Sequence, residues 1–114
     1  MINTNIKNSH IRIENLYKSI FAQMHDISIA MHDQHIEIRH HDESNIDAAV
    51  VEIIEGDLSY TIRYWDGYSL AEVIEEHDLN KALKVFKNFS KGMYFISVKN
   101  EKGNLIGYQK IIKD

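Results

Sequence analysis

A chain of 114 residues, of which 44% are hydrophobic and 26% charged, can bury one core and has an ordinary globular composition. It lacks cysteine, which excludes disulfides and thiolate metal sites, and no segment approaches the roughly 18 apolar residues of a membrane-spanning helix. The net charge of −4 is modest. We therefore expect one cytoplasmic domain, residues 1-114, without a membrane partner.

The first predicted element is a helix. Apolar residues recur at steps of three and four from Ile13 to Met31, which is the spacing of one helical face. Asn8 or Ser9 would cap this helix, and Glu14 suits its first turn. Its end is left open, because residues 26–32 also alternate with a period of two and fit a short strand almost as well.

The next segments alternate as strands do. In residues 35–40 the isoleucines lie on one face, and the other face carries His35, Glu37 and Arg39. Residues 48–65 predict two strands joined by a tight turn at Glu55-Gly56-Asp57, where Gly56 is expected to adopt a positive φ.

Asp66-Gly67 is a strong hairpin signal. The residues after it fit either a helix, with Ser69 and Glu72 as a capping box, or a strand over residues 68–76. We favour the strand, because Asp78 is a suitable N-cap and the apolar phase restarts after it.

A second helix is predicted from Asp78 to a stop signal at Lys91-Gly92, and its apolar stripe consists of Leu79, Ala82, Leu83, Phe86 and Phe89. Residues 93–112 alternate around an Asn-Glu-Lys-Gly turn and predict a final hairpin. The expected fold class is α+β: an antiparallel sheet of about five or six strands with two helices packed on one face, a two-layer sandwich.

Five of the seven histidines lie between residues 24 and 43, among carboxylates. His35, Glu37 and His41 would share a strand face, with the first two about 7 Å apart, close enough for one ion. Arg39 lies next in that row, and the compact metal-binding signatures are missing. We therefore expect exposed polar side chains, with no metal and no cofactor.

Two alternatives to this interpretation of the histidines stay open. A metal site would require a further group from elsewhere in the fold, such as His25 or His32. A surface that gains protons near neutral pH is the other alternative, because imidazoles beside carboxylates titrate there.

Catalytic motifs are missing as well. The sequence contains no G-x-S-x-G, no cysteine nucleophile and no glycine-rich phosphate loop. We therefore expect a protein that is not an enzyme.

Charge is segregated along the chain. Residues 41–78 carry eleven carboxylates against the single cation Arg63, whereas residues 79–114 carry eight lysines against two carboxylates. In a sheet the acidic side chains should form a negative patch that attracts a basic surface, with aromatic anchors close by. The predicted partner-binding residues are Glu52, Glu55, Asp57, Tyr64, Asp66, Tyr68, Glu72, Glu75, Glu76 and Asp78.

This patch predicts an inhibitor of the immunity or anti-defence type, which binds a basic protein partner such as a nuclease, a toxin or a nucleic-acid-binding complex. The alternative is a nucleic-acid-binding or regulatory module that uses a lysine stripe on the last helix, formed by Lys81, Lys84, Lys87 and Lys91. An acidic chain with three arginines fits nucleic acid less well. The opposite charges of the middle and C-terminal thirds would also allow a homodimer.

Overall fold

The computed structural model describes residues 5–41, 49–67 and 72–106, and it describes side chains as far as Tyr94. A 3₁₀ turn (Lys7–Ser9) leads into helix α1 (His10–Phe21). Five strands follow, and a long helix ends the described chain: β1 (Ile27–Met31), β2 (His35–His40), β3 (Val50–Glu55), β4 (Tyr60–Trp65), β5 (Glu72–Glu76) and α2 (Leu79–Ile106).

The strands form one antiparallel sheet in the order β1-β2-β3-β4-β5, so each strand pairs with the next one in sequence. Alternate side chains of the central strands are fully buried: Ile36, Ile38, Val51, Ile53 and Ile62. Helix α2 packs on β3, β4 and β5, while α1 packs on α2 and β1. The predicted two-layer α+β fold is confirmed, with five strands and two helices in the described ranges.

The core lies between the sheet and the helices. Helix α1 contributes Ile13 and Phe21, and α2 contributes Phe86 and Met93, all at most 2% exposed. Burial of such a side chain contributes about 1.5–3 kcal/mol, so these contacts stabilise the packing of both helices against the core. No helix in the described ranges contains a stretch apolar enough to cross a membrane.

The N-terminal helix is shorter than the apolar spacing allows. It ends at Phe21, and residues 27–31 form an edge strand that pairs with β2 along its whole length. Pairing with β2 satisfies the backbone groups on one side of this segment, and Ile27 is still buried. The strand alternative for residues 27–31 is therefore confirmed. Ser9 occupies the predicted N-cap position, but its side chain makes no capping bond. The preceding turn is closed instead by Asn5 Oδ1, which accepts a hydrogen bond from the Asn8 N–H at 2.9 Å.

The two predicted hairpin turns are present, but their glycines act differently from the prediction. Gly56 does not adopt a positive φ; its N–H donates to the Ser59 carbonyl at 2.8 Å, and a Cβ at Gly56 would lie 3.1 Å from that oxygen. Gly67 does adopt a positive φ, of 94°. Because Tyr64 pairs with Glu72, the β4–β5 loop is longer than a two-residue Asp-Gly turn.

Residues 72–76 form a strand, as we favoured over a helix, and residues 68–71 lie outside the described ranges. The predicted N-cap of α2 is confirmed, since Asp78 Oδ2 accepts a hydrogen bond from the Lys81 N–H at 3.1 Å. This bond satisfies one of the amide groups that a helix leaves free at its start.

The predicted C-terminal hairpin is wrong as far as residue 106. Helix α2 continues through Lys91-Gly92 to Ile106, and residues 107–112 of the predicted hairpin lie outside the described part of the chain. A glycine inside a helix costs only about 1 kcal/mol relative to alanine. Continuation offsets this cost, because Met93 extends the buried stripe of Phe86, Phe89 and Ser90 by one turn.

Candidate functional site

The sheet face opposite the core carries polar side chains in its centre. Glu37 of β2 lies directly opposite Glu52 of β3, which in turn lies opposite Arg63 of β4. His35 precedes Glu37 by two residues and therefore points to the same face. These three neighbouring strands thus bring one imidazole, two carboxylates and a guanidinium together.

The geometry of this group is compact. His35 Nε2 lies 2.7 Å from Glu52 Oε1, and one ligand atom from each of His35, Glu37 and Glu52 lies within 4.8 Å of the other two. We call these three residues the open-face cluster. Among the described residues they are the one set of histidine and carboxylate side chains close enough to share a metal ion.

Two arginines offset the negative charge of the cluster. Like charges directly opposite each other destabilise a sheet. Arg39 contacts Glu37 Oε2 at 2.8 Å, and Arg63 contacts Glu52 Oε2 at 3.1 Å. The glutamate side chains are largely shielded, at 24% and 18% exposure, whereas those of the two arginines are 44% and 50% exposed.

The other histidines of the 24–43 segment do not belong to the open-face cluster, although His32 lies beside it. His40 Nε2 lies 2.9 Å from Asp26 Oδ2, and His41 Nε2 lies 2.8 Å from Ser28 Oγ at the other end of β2 from His35. The His32 ring stacks beside His35 at 6.0 Å between ring centroids. His25 is exposed. The third member of the cluster is therefore Glu52 rather than a histidine.

A second polar region lies along β5, an edge strand of the sheet. Glu72, Val73 and Glu75 are exposed, and Val73 retains 57% of its accessible surface. Within the described ranges no cation lies at ion-pair distance from Glu72, Glu75 or Glu76. These carboxylates are therefore available to a cation from another molecule.

The β3–β4 turn extends this acidic region at one end of the sheet. His77 Nδ1 lies 3.0 Å from the Leu58 carbonyl, which places the tip Asp57-Leu58 next to the segment between β5 and α2. Leu58 is 86% exposed. We call Asp57, Glu72, Glu75, Glu76 and Asp78 the acidic edge.

The pKa of Tyr60 reflects the negative charge near the β3–β4 turn. Burial raises its pKa above the usual value of 10.0, and the charges of Glu55 and Asp78 raise it further. Both carboxylates therefore lie close enough to disfavour a phenolate there. Glu55 also accepts a hydrogen bond from the Ile6 N–H at 2.9 Å, so it ties the N-terminal segment to the sheet.

Among the described residues, the predicted partner-binding residues Glu52, Tyr64 and Asp66 do not belong to the acidic edge, although Tyr64 pairs with Glu72 across β4 and β5. Tyr64 points to the core, where its ring stacks on Phe89 at 5.8 Å, and burial followed by the charge of Asp66 raises its pKa above 10.0. Asp66 lies in the β4–β5 loop, and Glu52 belongs to the open-face cluster. Tyr68 lies outside the described residues.

The lysine stripe occupies the solvent side of α2. Its four members are all exposed: Lys81, Lys84, Lys87 and Lys91. The apolar positions between them, among them Leu83 and Phe86, are buried. The stripe is thus a continuous basic surface on the helical layer.

Comparison with known protein families, with curated proteins and with solved structures found no match to this chain.

Proposed function

We propose that this protein is a non-enzymatic inhibitor of the immunity or anti-defence type, which binds a basic surface of another protein through its acidic edge. The observation that carries the proposal is the set of three carboxylates on β5 that have no cation at ion-pair distance in the described chain. A nuclease, a toxin or a nucleic-acid-binding complex presents the basic phosphate-binding surface that such carboxylates attract.

The backbone of β5 supports the same proposal. Hydrogen-bonded pairs alternate along an antiparallel ladder, and Gly56 with Ser59 is such a pair. By this alternation, Ile62 makes no backbone hydrogen bond to β3 and directs its N–H and C=O towards Ile74 of β5. The neighbours of Ile74 alternate in turn, so the N–H and C=O of Val73 and Glu75 point outward, away from β4. An extended segment of a partner can pair with groups of this kind.

The two edges of the sheet, β1 and β5, differ in their contacts with the helices. At the β1 edge, the Tyr17 hydroxyl donates to the outward carbonyl of Ile27 at 3.1 Å, and α1 packs beside that strand. No described helix side chain makes an equivalent bond to the outer edge of β5. Glutamates on such an edge also prevent pairing with identical chains, because like charges repel. A basic partner is attracted by the same charges.

The test is affinity capture from the native host at about 0.15 M salt, followed by direct binding of the captured protein after purification. The wild type should retain a basic protein, and reversal of Glu72, Glu75 and Glu76 to lysine should reduce its capture at least tenfold. Reversal of Glu75 alone and reversal of Glu14 alone give a comparison at equal net charge, because Glu14 is an exposed glutamate on α1 that contacts Lys18 at 3.6 Å.

A second measurement, the binding of the isolated protein to nucleic acid, distinguishes recognition through the acidic edge from recognition through the lysine stripe. Under the proposal, the isolated protein does not bind DNA or RNA at about 0.1 M salt. Salt-sensitive retention on nucleic acid that disappears when Lys81, Lys84 and Lys87 are changed to glutamine would contradict the proposal and favour a nucleic-acid-binding module. Equal capture by the wild type and the β5 reversal would contradict it as well.

A further inference from the structure

We propose that the open-face cluster of His35, Glu37 and Glu52 is a binding site for a divalent transition metal of the zinc type. The inference is independent of the proposed function, because the cluster lies on β2 and β3 and shares no residue with the acidic edge.

The donor set suits zinc. Zn²⁺ takes imidazole nitrogen and carboxylate oxygen ligands, and three protein ligands with an open fourth position form a common arrangement. The register of β2 and β3 fixes where the side chains start: Glu37 lies directly opposite Glu52, and His35 lies one step along the same face. An ion bound here would join the two strands by their side chains.

The distances require only small side-chain movements. Ligand atoms of a tetrahedral zinc site lie about 3.4 Å apart. His35 Nε2 and Glu52 Oε1 are already 2.7 Å apart, and one ligand atom of Glu37 lies within 4.8 Å of the other two residues. Rotation of the flexible Glu37 side chain, together with a separation of His35 Nε2 and Glu52 Oε1 by about 0.7 Å, would close the site while the strands stay in place.

The charges around the cluster act on metal binding in two ways: the glutamates attract the ion and the arginines weaken its binding. The two glutamates face each other and together match the charge of a divalent ion. Arg39 and Arg63 contact the Oε2 atoms of Glu37 and Glu52, and both arginine side chains are about half exposed, so they can turn into solvent. A cation beside a bound metal weakens its binding, and removal of Arg63 should therefore strengthen it.

This expectation distinguishes a metal site from an ion-pair network. In a network without metal, the loss of Arg63 removes one partner of Glu52 and creates no affinity for zinc. In a metal site, the same change removes a competitor for the Glu52 carboxylate. The sign of the effect of Arg63→Gln on zinc affinity is consequently informative even if the variant is less stable.

The experiment is isothermal titration calorimetry of the full chain with zinc chloride near neutral pH, with protein purified without a histidine tag. The wild type should bind one zinc ion, His35→Ala and Glu37→Gln should each weaken binding at least tenfold, and Arg63→Gln should strengthen it severalfold. His25→Ala is the matched control, because His25 is exposed and shares no ligand cluster with any other described residue, and it should leave binding unchanged.

Circular dichroism shows before each titration whether the variant is folded. If either His35→Ala or Glu37→Gln does not fold, the other still tests the site. Absence of one-to-one zinc binding in the wild type would overturn the proposal. Binding that survives both His35→Ala and Glu37→Gln, or that weakens in Arg63→Gln, would overturn it as well, because zinc would then bind elsewhere.

Discussion

Replacement of Gly92 by alanine tests the continuous α2 helix. Gly92 lies inside the helix, without a positive φ, and a Cβ added there would have no other heavy atom within 4 Å. Alanine exceeds glycine in helix propensity by about 0.8–1.0 kcal/mol. The variant should therefore be more stable by about 1 kcal/mol. With an unfolding entropy of about 2.1 cal/mol/K per residue, this corresponds to a rise of about 4 °C in the midpoint temperature.

The assay is thermal unfolding followed by circular dichroism, with Gly67→Ala as the control. Gly67 has a φ of 94°, so a side chain there is strained and should destabilise the protein by about 1–2 kcal/mol. The same substitution thus has opposite signs at the two glycines. If Gly92→Ala lowered the midpoint temperature, Gly92 would be a left-handed helix stop and residues 93–112 would be free to form the hairpin that their alternation predicts.

Further substitutions test the core and its tyrosines. The Tyr64 hydroxyl is buried and has no hydrogen-bond partner in the described structure, so Tyr64→Phe should raise the free energy of unfolding in urea by about 1 kcal/mol. Tyr17→Phe removes the hydrogen bond to the Ile27 carbonyl and should lower that free energy by about 0.5–1.5 kcal/mol. Tyr17, Tyr60 and Tyr64 have pKa values raised above the unfolded value of 10.0, so the stability that they contribute is fully present below pH 10.0 and is lost as pH rises through the folded pKa values. The urea midpoint should therefore fall above about pH 10, and it should fall less steeply in Tyr64→Phe. An unchanged slope in this variant would contradict the burial of Tyr64. Phe86→Ala should cost about 3–5 kcal/mol by the same assay, and a loss below about 1 kcal/mol would show that α2 does not pack there.

Most of the sheet could be predicted from the sequence, because its strands are short and alternate clearly. Residues 35–40 and the two strands around Gly56 have one buried and one polar face, a pattern that a helix cannot satisfy. The tertiary structure decided the ambiguous residues 26–32 by pairing them with β2.

The C-terminal helix was mispredicted because Lys91-Gly92 is a local signal, whereas the choice depends on packing. A stop signal contributes about 1 kcal/mol, and the burial of Met93 beside Phe89 outweighs it. Gly56 gives a similar lesson, since close approach to the Ser59 carbonyl, rather than a positive φ, accounts for a small residue there.

Two of the three residues of the candidate metal site could be found from the sequence, since His35 and Glu37 are two residues apart on a predicted strand. Glu52 could not be assigned to it, because strand register depends on how β2 and β3 pair across a connection longer than a tight turn. The same limit explains why the predicted acidic patch contained Glu52 and Tyr64, which the fold directs to the open face and to the core.

The association rate of the captured basic partner tests the role of the acidic edge most directly. Stopped-flow measurements at about 0.05 M and about 0.3 M salt should show a rate constant for the wild type that falls steeply as salt rises. The Glu72, Glu75 and Glu76 reversal should associate at least tenfold more slowly at low salt and lose that dependence, while the Glu14 reversal should match the wild type. Equal rates for the wild type and the β5 reversal at low salt would contradict recognition through the acidic edge.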